Sequence, residues 1–146
     1  MTLRIVVIAL FATAVVAVCA DDEPATRLSS VTSIYVEGNN EAAQKIRADI
    51  RTDREKKKLC FDLATKKDGA SAVLGITDDT VANTGEHADV LSRRHSRVSA
   101  LLTLADGEQV WERSSSMSDA PFGFSGSKAA AGAIYKQLRK DVCAKR

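Results

Sequence analysis

The chain lacks a surplus of charge of either sign. Its 146 residues include 21 lysines and arginines and 19 aspartates and glutamates, for a formal net charge of +2. Nucleic-acid-binding domains are usually strongly basic, so this balance argues against one. Aromatic residues are scarce as well, at 5% of the chain, and only two prolines are present. The short length predicts one small domain and excludes a multidomain enzyme.

Long hydrophobic runs are absent except at the start of the chain. Seventeen of the first 20 residues are apolar, and after Arg4 only Thr13 interrupts the apolar run. The absence of a second such run excludes a polytopic membrane protein. A positive start, an apolar middle and small residues before an acidic segment are typical of a secretory signal peptide. We predict a signal peptide over residues 1–20, a flexible lead-in over residues 21–30 and a single domain over residues 31–146.

Two other interpretations of the first 20 residues stay open. A retained anchor helix would need about 20 apolar residues, and the run here is shorter. Acylation of Cys19, as in a bacterial lipoprotein, would tether the chain to a membrane. Val18 is bulkier than the small residue that usually precedes such a cysteine, so we favour cleavage after Ala20. Cleavage predicts a periplasmic or secreted protein, and acylation predicts an outer-membrane lipoprotein.

Cysteine is rare, with three in the chain, and cleavage after Ala20 would remove Cys19. The two that remain, Cys60 and Cys143, would lie in an oxidising compartment, where an even number of cysteines usually forms disulfides. A bond between them would stabilise the fold by about 4 kcal/mol in the chain-entropy model. The alternative is a pair of buried free thiols.

The spacing of apolar residues predicts the order β-α-β-β-β-β-α. Ile34 and Val36 alternate as in a strand, whereas Ala131, Ile134 and Leu138 recur as on one side of a helix. Asp106-Gly107 is a strong signal for a tight hairpin turn. We predict strands over residues 31–37, 59–63, 72–76, 94–104 and 108–115, helices over 40–57 and 128–144, and loops over 78–89 and 114–127.

These elements predict an α+β fold with two layers. Each helix has one narrow apolar stripe, so both suit packing on one face of a sheet. The sheet is predicted to be mixed and mostly antiparallel.

Four segments together resemble the small α/β domains of bacterial envelope proteins. They are the strand at residues 31–36, the helix containing Ala43 and Ile46, residues 69–75 (GASAVLG) and the hairpin at residues 102–111 (LTLADGEQVW). The resemblance is to the TolB amino-terminal domain, the curli-secretion lipoprotein CsgG and the lipoprotein activators of cell-wall synthases. It implies a location in the cell envelope and a noncatalytic role in assembly or partner binding.

Motifs for catalysis and metal binding are missing. Residues 123–127 approach a nucleophile elbow, but Ser127 stands where the motif needs glycine. His87 and His95 lie near Asp78, Glu86 and Asp89 in the sequence, without the tightly spaced ligand pairs of zinc sites. A cysteine–histidine nucleophile pair would need a free thiol, which a disulfide removes. We predict no catalytic residue, no metal and no cofactor.

Two aromatic residues are candidate partner contacts. Trp111 is the only tryptophan, and such residues often anchor interfaces, although it also suits the end of a small core. Tyr35 lies on the strand face opposite Ile34 and Val36. The basic runs at residues 56–58, 66–67 and 93–94 are interpreted as a solvated surface rather than an anion site, because acidic residues are interleaved with them.

The sequence therefore predicts an exported, noncatalytic accessory or assembly subunit that binds an envelope protein. Sheet edges and the hairpin at residues 97–115 are the expected contact surfaces. No nucleic-acid partner is expected, and membrane contact is expected only through a lipid anchor. One alternative is a secreted inhibitor or ligand-binding module. Another is a small secreted hydrolase or metal-dependent enzyme centred on residues 78–95.

Overall fold

Five strands and two helices follow each other in the predicted order. A computed structural model describes residues 27–82, 94–119 and 125–144. A short 3-10 turn at Leu28–Ser30 precedes the first strand, and Leu28 is buried. The elements are β1 (Ser33–Glu37), α1 (Glu41–Glu55), β2 (Asp62–Leu63), β3 (Ala72–Ala82), β4 (Arg94–Leu104), β5 (Gln109–Ser118) and α2 (Gly126–Cys143).

The strands form one mixed sheet in the order β2-β1-β3-β4-β5. β1 pairs in parallel with both β2 and β3, and the longer β3–β4 and β4–β5 pairings are antiparallel. A β-bulge lies between Leu102 and Thr103, because Leu102 pairs with Trp111 whereas Thr103 pairs with Gln109. The extra residue allows the consecutive Val110 and Trp111 both to be buried.

Both helices cover the same face of the sheet. Alternate residues of β1, β3 and β4 are buried on that face, among them Ile34, Leu74 and Leu102. The apolar stripes of α1 and α2 pack against them, with Ile46, Ile50, Ile134 and Leu138 in the core. The predicted two-layer α+β fold is confirmed. Among the described residues no helix packs on the opposite face of the sheet, and we call it the open face.

The two helices run parallel to each other. At their first turns, Glu41 contacts Ser125 and Lys128, and Asp53 near the end of α1 contacts Tyr135 and Arg139. The start of α1 is fixed by Asn40, which is its N-cap. Its Oδ1 accepts from the Ala43 amide at 2.8 Å and its Nδ2 donates to the Ile76 carbonyl at 3.1 Å.

The structure corrects several predicted boundaries. β3 continues to Ala82, where a loop was predicted from residue 78, because its polar second half pairs with β4 through Ala82. β5 likewise continues to Ser118, and α2 begins at Gly126, so the predicted loop over 114–127 is wrong at both ends. β2 has only two residues. Cross-strand pairing, which local hydrophobic patterns do not encode, sets these lengths.

The predicted disulfide is present. Cys60 and Cys143 are bonded, with their Cα atoms 5.6 Å apart and 83 positions apart in the sequence. The bond joins the segment after α1 to the last turn of α2, next to the buried Phe61. It therefore links the C-terminal ends of both helices.

Replacing both cysteines with serine should lower the free energy of unfolding by about 4 kcal/mol, because the unfolded chain regains the entropy that the closed loop removes. Urea unfolding followed by circular dichroism measures this change. A reductant should destabilise the wild-type chain by a similar amount and leave the Cys60→Ser/Cys143→Ser variant unchanged. Equal stability of oxidised and reduced wild-type protein would contradict the prediction.

Candidate functional site

The histidine and acidic residues considered for metal binding are not brought together. Asp78 lies on the helix-covered side of β3, where it accepts from Ser127, whereas His95 lies on the open face of β4 with Nδ1 3.0 Å from Ser118 Oγ. His87, Glu86 and Asp89 lie outside the described residues. Within the ranges that the structure describes, no group of three or more candidate ligands is found.

The serines of the near-elbow motif have structural contacts. Ser125 caps α2, accepting from the Lys128 amide at 3.3 Å, and its hydroxyl donates to Glu41 Oε2 at 2.7 Å. Ser127 is 4% exposed and donates to Asp78. The Ser125 and Lys128 contacts hold the pKa of Glu41 below its usual value. Both hydroxyls thus fasten the first turn of α2 to the strands and to α1.

A groove on the open face is the main candidate binding site, and we call it the sheet groove. Its floor is Val73, Gly75 and Leu101, and the β2–β3 connection around Lys67 forms one wall. The cavity measures about 550 Å³ and continues into a second of about 410 Å³ beside Glu112.

The sheet groove exists because Gly75 has no side chain. A Cβ at this position would meet only the Leu101 carbonyl oxygen, at 3.9 Å. The neighbouring Leu101 is 37% exposed and is one of two large hydrophobic residues exposed in the described part of the chain. Val73, Gly75 and Leu101 thus give the sheet groove an apolar floor on an otherwise polar face.

Charged residues border the sheet groove. Lys67 Nζ lies 2.8 Å from Glu37 Oε1, and this contact raises the pKa of the lysine. Glu112 lies across from Leu101 on β5 and accepts from Gln109 at 3.2 Å. The sequence prediction did not name Gly75, Leu101 or Glu112 individually, although the hairpin at residues 97–115, an expected contact surface, contains the last two. A leucine among the polar open-face positions of β4 was the available signal.

The two aromatic candidates have different surroundings. Tyr35 is half-buried on the open face of β1, paired in register with Val73, and does not line the sheet groove. Trp111 is 8% exposed and belongs to the core. Its Nε1 donates to Asp141 Oδ2 at 2.9 Å, which fixes the indole against α2. Trp111 therefore contributes mainly to packing in the isolated chain.

A second groove lies between α1 and α2, on the surface away from the sheet, and we call it the inter-helix groove. Its cavity measures about 650 Å³. Tyr135 Oη and Arg139 Nη1 both donate to Asp53 Oδ2 here, at 2.8 and 2.6 Å. The tyrosine hydrogen bond and the guanidinium hold the pKa of Asp53 below its usual value. Burial and the aspartate raise the pKa of Tyr135.

The helices of the described residues are amphipathic and lie against the sheet. None of them combines the length and the apolar character that a crossing helix needs.

Comparison with known proteins gives the fold of the chain. No protein-family model matches this sequence, and no curated protein does. The chain is similar to a single-substitution variant of PelC from Paraburkholderia phytofirmans, described as a dodecamer, with a TM-score of 0.50 and 16% identity over 75% of this chain and 87% of that one.

Two further solved structures are similar to the chain. A minor lipoprotein from Acinetobacter baumannii has a TM-score of 0.45 and 10% identity over 80% of this chain and 96% of its own. Rare lipoprotein B from Shewanella oneidensis has a TM-score of 0.35 and 11% identity over 76% and 88% of the two chains. At these identities the comparison with PelC shows a shared fold, and the resemblance to the TolB, CsgG and activator domains stays a prediction.

Asp53→Asn should destabilise the fold by about 1 to 2 kcal/mol at pH 7, because two hydrogen bonds lose their charged acceptor. Since the folded-state pKa of Asp53 is lowered, its contribution is complete above about pH 4 and is lost as the pH falls through the folded-state pKa. The stability gap between wild type and variant should therefore narrow in acid. Urea unfolding at several pH values measures it.

Asp49→Asn is the matched control, because Asp49 pairs with Lys45 within one helix at a more exposed position. It should cost only a few tenths of a kcal/mol. A gap for Asp53→Asn that stayed constant from pH 7 to pH 2 would show that the aspartate charge is not responsible.

Proposed function

We propose that this chain is an exported accessory protein of the bacterial cell envelope that acts by binding another protein. Export is supported by the signal-like pattern of residues 1–20. The fold shared with PelC supports a similar setting, since solved structures of bacterial lipoproteins are among those with a similar chain path. The single observation that carries the binding role is the sheet groove.

The chemistry of the sheet groove defines the expected partner. An extended segment lying along the strands would place one apolar side chain over Gly75, between Val73 and Leu101. Glu112 at the rim would pair with a lysine or arginine of that segment. We therefore propose an extended segment of another envelope protein, with an apolar residue close to a basic one.

A noncatalytic role is part of the same proposal. Asp78 and His95 occupy opposite faces of the sheet, and Cys60 and Cys143 are bonded to each other, so these groups do not combine as a nucleophile and base. A secreted inhibitor is the second candidate, because a groove that accepts one side chain also suits a soluble target. A stable one-to-one complex with an extracellular protein would favour it.

Gly75→Val should weaken partner binding without unfolding the chain, because the new side chain occupies the floor of the sheet groove and valine is favourable in strands. A photo-crosslinking residue that replaces Leu101 would first trap the partner in intact cells. The same experiment would detect a second copy of this chain if that were the partner. The purified partner should then bind Gly75→Val at least about tenfold more weakly than wild type, a loss of about 1.4 kcal/mol.

Ser116→Val is the matched control, because Ser116 is exposed on the open face opposite Arg97 and does not line the sheet groove. It should leave the affinity unchanged. Equal affinity of the partner for wild type and Gly75→Val would exclude the sheet groove as its binding site. Turnover of a substrate by the purified chain, lost on a single substitution that leaves the fold intact, would overturn the noncatalytic role.

A further inference from the structure

The near-neutral chain has its charges separated between the two layers. The helices and the residues that follow α1, 41–58 and 126–143, contain eleven lysines and arginines and five aspartates and glutamates. The other described residues contain six basic and nine acidic residues. The helical layer therefore carries a formal charge of +6 and the remainder −3. A net charge calculated for the whole sequence conceals this separation.

The inter-helix groove lies at the centre of the basic layer. It is lined by five cationic side chains, Lys45, Lys56, Lys128, Lys136 and Arg139. At the ends of the helices it meets a second depression, beside Lys58 and Lys140, with which it shares Arg139. The two cavities measure about 650 and 550 Å³. Together they form a basic channel along the length of α2.

The acidic residues near this channel are already engaged. Asp49 pairs with Lys45, Asp53 pairs with Arg139, and Glu41 pairs with Lys128. No ion pair to another described residue is found for four exposed lysines of the channel, Lys56, Lys58, Lys136 and Lys140. These four charges are available to an external anion.

We propose that the inter-helix groove binds an extended acidic segment of a partner polypeptide. The rise of α2 from Lys128 to Lys140 is about 18 Å, which matches about five residues of extended chain. Gly132 lies in the groove with no atom within 4 Å of a Cβ placed on it, so an approaching chain finds open space there. A flat anionic surface would touch the lysines at the rim without entering this space.

The proposal is independent of the sheet groove, since the two grooves lie on opposite sides of the molecule. Its test uses the purified chain and a fluorescent ten-residue poly-L-glutamate, with binding followed by anisotropy. Gly132→Leu should weaken binding at least about fivefold, because leucine blocks the groove without changing charge and is a better helix former than glycine. Lys136→Glu should weaken it as much, and 0.5 M salt should weaken wild-type binding strongly.

Arg97→Glu is the matched control, because it makes the same charge change on the open face of the sheet. It should change the dissociation constant of the peptide less than about twofold. An effect equal to that of Lys136→Glu would overturn the proposal, because the peptide would then respond to the net charge of the molecule rather than to the groove. Binding of phosphatidylglycerol vesicles and of duplex DNA is measured in the same way. Tighter binding of either than of the peptide, with Gly132→Leu unaffected, would assign the basic layer to a flat anionic surface or a nucleic acid instead.

Discussion

One-sided cover of the sheet is the constraint on which the rest of the structure depends. Two parallel helices bury one face, and within the described ranges no element covers the other. The core therefore lies in one layer, between the apolar stripes of the helices and alternate strand residues. The largest fully buried side chains of that contact are aliphatic, among them Ile34, Ile46 and Leu102. The position of the helices is therefore reinforced by polar links at their first turns, by Asp53 near the end of α1 and by the Cys60–Cys143 bond at the far end.

The same constraint creates both grooves. A sheet covered on one side exposes the side chains of β3, β4 and β5 on the other, where Gly75 leaves a gap next to Leu101. Helices that run parallel, rather than crossing steeply, remain side by side over several turns, and the inter-helix groove lies between them. Small residues along α2, Gly132 among them, keep the inter-helix groove open.

Local patterns predicted the order of the elements and the fold class, and the number of cysteines predicted the disulfide. They did not predict the second half of β3, where Asp78 and Asp79 are unusual strand residues that are held by pairing with β4. They also did not predict either groove. Gly75 and Glu37 become neighbours only through parallel pairing of β1 and β3, and Asp53 meets Arg139 only because the helices run parallel. Such contacts join residues far apart in sequence, which periodicity does not connect.

The basic runs differ most between what the composition indicates and what the structure shows. In the sequence, acidic residues alternate with Lys56 and its neighbours, which favours a solvated surface. In the fold, three of the four acidic groups on α1, Glu41, Asp49 and Asp53, are paired with partners on α1 and α2. What remains at the surface is the excess of lysine. The described residues thus divide into a basic helical layer, with a formal charge of +6, and a remainder with a formal charge of −3. This separation gives the molecule two chemically different sides.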